Sequence, residues 1–158
     1  MELSRKPYQT LEGQAYPTVR QMSIFIENRM GQLLRLTQLF ENKDIRILGF
    51  TVIDSVDCAV MRLLCDSPDE AISLLREAGF AVSVAEVLVV RLPHGKRGLL
   101  SICSALLSSE INISYAYPLM PTNVGSSVAL AVDNTEIAVD TLQQKQFEVL
   151  SEGDLKQG

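Results

Sequence analysis

Apolar and polar positions fall into two alternating rhythms along the chain, and the order of those rhythms is the first thing the sequence states. From Gln21 to Glu27, Met22, Ile24 and Ile26 alternate with Ser23, Phe25 and Glu27, the period of a strand. After Asn28-Arg29-Met30-Gly31-Gln32-Leu33 the spacing changes: Leu33, Leu36 and Phe40, with Leu39 beside them, predict a helix from Gln32 to Glu41. Gly31 therefore stands where a strand hands over to a helix, whose first N–H groups lack internal partners. Such a corner can hold a carboxylate or be a plain turn. The β-branched run Ile45 to Ile53 predicts a strand, which Asp54-Ser55-Val56-Asp57 turns back into Cys58 to Cys65 as a hairpin. Ser67, Pro68 and Glu70 then spell a capping box, Ala71, Ile72, Leu74, Leu75 and Ala78 form a helical stripe, Gly79 ends it, and Phe80 to Val84 is a strand.

The same order then recurs. Glu86 to Leu92 is strand-like, Pro93 to Gly98 forms a turn, and Leu99, Ile102, Cys103 and Leu106 give a helical stripe. Ile111-Asn112-Ile113 echoes Ile45-Arg46-Ile47 at an offset of 66, and Phe147 to Leu150 echoes Phe80 to Ser83 at 67. Between them lie the strands Tyr115 to Leu119 and Gly125 to Val132, a capping signal at Asp133 to Glu136, and the stripe Ile137, Ala138, Thr141 and Leu142. Two βαββαβ units are predicted, 19–84 and 85–152, after an arm of 1–18 and before a frayed tail of 153–158. One apolar stripe per helix places the helices on one face of an antiparallel sheet, an α+β fold. The other face, read as carrying Phe25, Leu48, Phe50, Val52 and Val89, is too apolar for water and is expected to be covered by the sister unit or a second chain.

Composition narrows the function. A net charge of −5 argues against nucleic acid as the main partner, and no apolar run reaches the length of a membrane span. The first ten residues hold Arg5 and Lys6 without an apolar core after them, so no secretory signal is read and the cytoplasm is the expected compartment. Cys58, Cys65 and Cys103 sit in apolar segments and read as reduced thiols; with one histidine, no metal site is expected. His94 in a turn and Cys103 on an inward stripe do not make a nucleophile pair, and Gly95-Lys96-Arg97-Gly98 lacks the phosphate-loop layout. Asp54, Asp57, Asp66, Asp69 and Glu70 suit turns and helix starts better than acid–base chemistry. Tyr115 and Tyr117 share a face and read as packing residues, which with the acidic balance disfavours an RNA-binding sheet.

The strand–(N-x-x-G-x-L)–helix–(I-x-I)–strand pattern, carried by Asn28, Gly31, Leu33, Ile45 and Ile47, resembles the ACT domain, a small regulatory domain that binds amino acids in metabolic enzymes. The second copy carries Gly98, Leu99, Ile111, Asn112 and Ile113, with its glycine one residue nearer the isoleucine pair. Met30 and Arg97 stand where the family places proline beside the glycine. The whole is similar to stand-alone tandem ACT proteins. The resemblance implies two ferredoxin-like units and no catalysis or cofactor. It implies an effector amino acid held between the strand–helix loop of one domain and a strand of its neighbour. Asn28, Met30, Gly31, Gln32, Leu33 and Ile47 would form one half-site, and Arg97, Gly98, Leu99, Ile113 and Tyr115 another. Backbone N–H groups would take the carboxylate, with Arg29 or Arg97 adding charge, and an Asn or carbonyl would take the ammonium. A homodimer and a metabolic-enzyme partner are the implied assemblies. The competing functions are a purely structural subunit and an acylphosphatase-like enzyme.

Overall fold

A computed structural model describes residues 16–27, 31–123 and 125–156. The first half runs β1 (Val19–Glu27), α1 (Gln32–Glu41), β2 (Ile47–Asp54), β3 (Cys58–Cys65) and α2 (Pro68–Glu77). Then β4 (Ala81–Arg91) continues unbroken through the stretch where two strands were expected. The second half runs α3 (Gly98–Ser108), β5 (Ile113–Pro118), β6 (Ser127–Val132), α4 (Thr135–Gln144), β7 (Val149–Leu150) and α5 (Glu152–Lys156).

All the strands join one antiparallel sheet of seven, because β4 serves both halves. Its residues Ala81 to Val87 pair with β1, while Leu88 to Arg91 pair with β6, and Val89 and Val90 also with β7. Each half thus has the ferredoxin-like order, β2-β3-β1-β4 in the first and β5-β6-β4-β7 in the second. The expected boundary between 84 and 85 falls inside this strand, whose change of partner comes between Val87 and Leu88.

Three cores result. Met22, Ile24, Leu36, Phe40, Met61 and Leu75 pack between the first sheet half and its helices. Leu88, Val90, Ile102, Leu106, Leu130 and Leu142 do the same in the second. The third core, with Val19, Leu48, Leu64, Val87, Val89, Tyr117 and Leu119, lies on the helix-free face of both halves. The sheet curls around it until its two edges touch, where the Met120 N–H donates to the Leu48 carbonyl at 2.7 Å. Gly49 permits that approach, since a Cβ there would sit 3.1 Å from Leu119 Cγ. Each fully buried aliphatic side chain contributes about 1.5–3 kcal/mol, so three cores stabilise a chain whose separate units would be small.

The cover over the helix-free face therefore comes from the sister unit, but only in part. Leu48 and Val89 are buried in it, whereas Phe25 stays half-exposed. Phe50 and Val52 are a correction: a bulge at Leu48 shifts the register, placing them opposite Leu63 and Met61 on the helix side, at the uncovered edge. Two further expectations change. Ser67 makes no capping bond; Pro68 with Asp69 and Glu70 starts α2 instead. The tail is not frayed from Gly153, because Ser151 and Asp154 cap each other's backbone N–H groups and α5 buries Leu155 in the third core.

Polar contacts fasten the two halves. Gln21, fully buried on β1, donates from Nε2 to the Tyr115 hydroxyl at 2.8 Å and accepts from the Tyr117 hydroxyl at 2.7 Å. The Arg62 guanidinium lies 3.6 Å from the Tyr115 ring centre. On the opposite face Arg20 bonds Glu152 of α5 through Nε at 2.8 Å and Asp69 of α2 through a terminal nitrogen at 2.6 Å. Replacing Gln21 by Leu strands both tyrosine hydroxyls and should cost roughly 1–3 kcal/mol in urea unfolding; an unchanged midpoint would mean the amide holds nothing. Hydrogen bonds from Arg20 hold the Asp69 and Glu152 carboxyls below their ordinary range. Their stabilisation is therefore present above the unfolded carboxylate range, about pH 4, and is lost as pH falls through the lowered folded values. Melting temperatures followed from about pH 7 to about pH 3 should fall less steeply in Arg20→Ala than in the parent.

Candidate functional site

The end of β1 and the start of α1 form a corner around Gly31. Its φ of +84° is left-handed, which glycine adopts without cost, and its carbonyl accepts the first helical bond from the Arg35 N–H at 2.9 Å. Gln32 lines an open cavity of about 390 Å³ there, with Phe25, Ile26, Glu27, Arg35 and Gly79. Asn28, Arg29 and Met30 lie outside the described residues. Leu33 is largely exposed, and Ile47 packs against the helix-side core, away from the corner.

The second corner has the same place but a different build. Arg97, not Gly98, is the residue before the first helical one and so matches Gly31; its φ is −102°. Gly98 is buried in the first turn, where a Cβ would meet the Pro93 carbonyl oxygen at 2.6 Å. The left-handed glycine of this loop is Gly95, at φ +100°. Leu99 is exposed, like Leu33. Ile113 faces the helix-side core and Tyr115 the inter-unit core, because the bulge between them reverses one of the two.

The two half-sites do not meet within one chain. The first loop adjoins the start of β4, as Phe25 opposite Ala81 shows, and the second leaves its end at Arg91. At strand rise those points are about 33 Å apart.

Sequence reasoning passed over the side chains that shape the corners. Arg35 donates to the Ala78 carbonyl at 2.7 Å and lies 4.9 Å from the Phe80 ring centre. Arg91, Leu92, Pro93 and His94 form a wall shared by two open cavities. One, of about 430 Å³, is completed by Gly95, Gly125 and Ser126, and the other, of about 280 Å³, by Gln146, Phe147 and Glu148. Arg91 pairs with Glu148 at 2.9 Å, yet its Nε is buried with no hydrogen-bond partner among the described residues. A buried donor left so costs about 1–3 kcal/mol. Its signal in the sequence was position: Arg91 stands 66 after Phe25, at the matching end of its strand.

The helices differ in a systematic way. First turns of α2 and α4 carry acidic residues, and Asn134 Oδ1 caps α4 by accepting from the Ile137 N–H at 3.1 Å. Among the described residues neither α1 nor α3 has a side-chain cap or an acidic residue in its first turn to compensate its positive end. Burial pushes the Cys65 thiol up to about 12, which removes it as a nucleophile. Among the described residues no cluster of His, Cys, Asp and Glu is placed to hold a metal, and no helix is long and apolar enough to cross a membrane.

The family model of the ACT domain pair matches residues 17–157, and the chain belongs to that family of regulatory domains. A protein of Bacteroides thetaiotaomicron has a similar structure at TM-score 0.82 and 24% identity, over 90% of this chain and 98% of that one. The regulatory subunit of aspartate kinase from Thermus thermophilus is similar at 0.57 and 16%, over 82% and 93%. Its counterpart from Thermus flavus is similar at 0.53 and 14%, over 82% and 93%. These likenesses concern the fold. No curated protein matches the chain.

The two glycines should respond differently to alanine. At Gly31 open space leaves only the left-handed strain, about 1–2 kcal/mol. Gly98→Ala must displace the Pro93 carbonyl and should lower the melting temperature further; equal losses would mean that the second loop yields freely.

Proposed function

We propose that this protein is an amino-acid sensor without catalytic activity, acting in the cytoplasm on a metabolic enzyme or complex. One observation carries the reading: in each repeat the first strand ends at an open cavity, which Gln32 of α1 also lines in the first, and among the described residues no side chain caps the helix that follows. The first-turn N–H groups of α1 and α3, which lack intrahelical partners, suit a carboxylate, and the cavities have room for a small side chain. Gly31 and Gln32, with Asn28, Met30 and Leu33 around them, would hold a ligand at the first corner. Arg97, Gly98 and Leu99 would do so at the second.

Because the loops of one chain lie far apart, a site built from a loop and a neighbouring domain calls for a second copy. Ile47, Ile113 and Tyr115, set away from the loops, would then act only through the cores in which they pack. A ligand bound between copies stabilises one arrangement of them, and that difference is what a partner enzyme would read. The half-exposed edge of β2, with Phe50, Val52 and Ile53, favours a second reading, a subunit that assembles with an enzyme and binds nothing small.

A thermal-shift series with the twenty amino acids separates the two. At about 100 times its dissociation constant a ligand adds roughly 2.7 kcal/mol, and Gly31→Val or Gly98→Val should abolish the shift at its own corner. Silence from every amino acid at millimolar concentration would leave the assembly reading. Light scattering with size exclusion should give twice the chain mass, and a monomer would remove the shared-site arrangement.

A further inference from the structure

In a chain of net charge −5, the stretch from Val87 to Ser109 contains no Asp or Glu, yet it holds Arg91, His94, Lys96 and Arg97. The structure puts Arg91 and His94 into the wall common to both cavities of the second corner, with Lys96 and Arg97 exposed in the loop beyond. Glu148 is the carboxylate that lines this corner, and it bonds one terminal nitrogen of Arg91. The Nε–H of the same guanidinium has no acceptor among the described residues and is sheltered from solvent. The Arg91 side chain as a whole is 39% exposed, and an accessible guanidinium fork suits a carboxylate.

The first corner lacks these properties. Among the described residues its cation, Arg35, already donates to the Ala78 carbonyl and lies against Phe80, and Glu27 stands in the same wall with Phe25 and Ile26. The two corners are equivalent by repeat, and their described lining residues are unlike in charge.

We infer that the second corner is an anion site, selective for an amino acid bearing a side-chain carboxylate. This rests on the sensor reading for the ammonium-bearing part of the ligand; the anion site itself does not.

Titration calorimetry on the full chain tests it, with L-aspartate and L-glutamate against L-asparagine and L-glutamine, and with succinate and inorganic phosphate as anions lacking the ammonium. The acidic amino acids should bind at least tenfold more tightly than their amides. Arg91→Gln should erase that preference. Arg91→Lys, which retains a charge for Glu148 but not the fork, keeps the fold secure and should retain part of the preference. If acidic and neutral amino acids bind alike, or Arg91→Gln leaves the preference intact, the inference is overturned and the sensor reading stands. If succinate or phosphate binds and Arg91→Gln abolishes it while no amino acid binds, the anion site stands without the sensor reading. Absence of binding by any of these probes overturns the inference, and the sensor reading is then decided by the series with all twenty amino acids.

Discussion

Continuity of β4 is the constraint on which the rest of the molecule depends. One strand supplies the last strand of the first unit and the first strand of the second, so the pleat of one half sets the pleat of the other. Val82 in the first half and Leu88 and Val90 in the second pack on the helix side, while Val87 and Val89 face the shared core. A one-residue slip in either half would turn both sets over. With the sheet unbroken, burying the helix-free faces requires it to curl, and the curl is what brings Leu48 to Met120 and Gln21 to the two tyrosines.

Much of this was legible because it is periodic. The repeat of Ile45-Arg46-Ile47 in Ile111-Asn112-Ile113 marks equivalent backbone, and the structure adds a matching contact. Asp66 accepts from the Arg46 N–H and Asp133 from the Asn112 N–H. Helix α1 has the limits that the spacing of Leu36 and Phe40 predicts. What escaped was whatever depends on a bulge or on the curl. Phe50 and Val52 change faces because a single residue, Leu48, is inserted ahead of them. Gln21 lies in phase with Ser23 and so reads as a solvated position; only the approach of the second unit turns it into a buried bridge. The capping box Ser151–Asp154 was readable by its spacing and was masked by the glycine between.

The repeat is also broken where chemistry matters. Gly31 and Arg97 are structurally equivalent, but one is a left-handed glycine and the other a cation in ordinary backbone. The glycine that the sequence offers as a counterpart, Gly98, serves packing against Pro93. The scaffold thus repeats while the loops at the two corners differ in shape.

The curled sheet has mechanical consequences. On the β4 side the two halves are joined by covalent chain and two hydrogen-bonded ladders; on the other, the described residues show one backbone hydrogen bond, Met120 to Leu48, and the packing of Leu119 on Gly49. The molecule is a split ring, stiff along its spine and compliant at its seam. Any strain introduced at either corner is relieved at lowest cost by a change in the width of that seam. Displacement far from a bound molecule would then be largest at β2 and β5, on the side of the ring opposite the strand that both halves share.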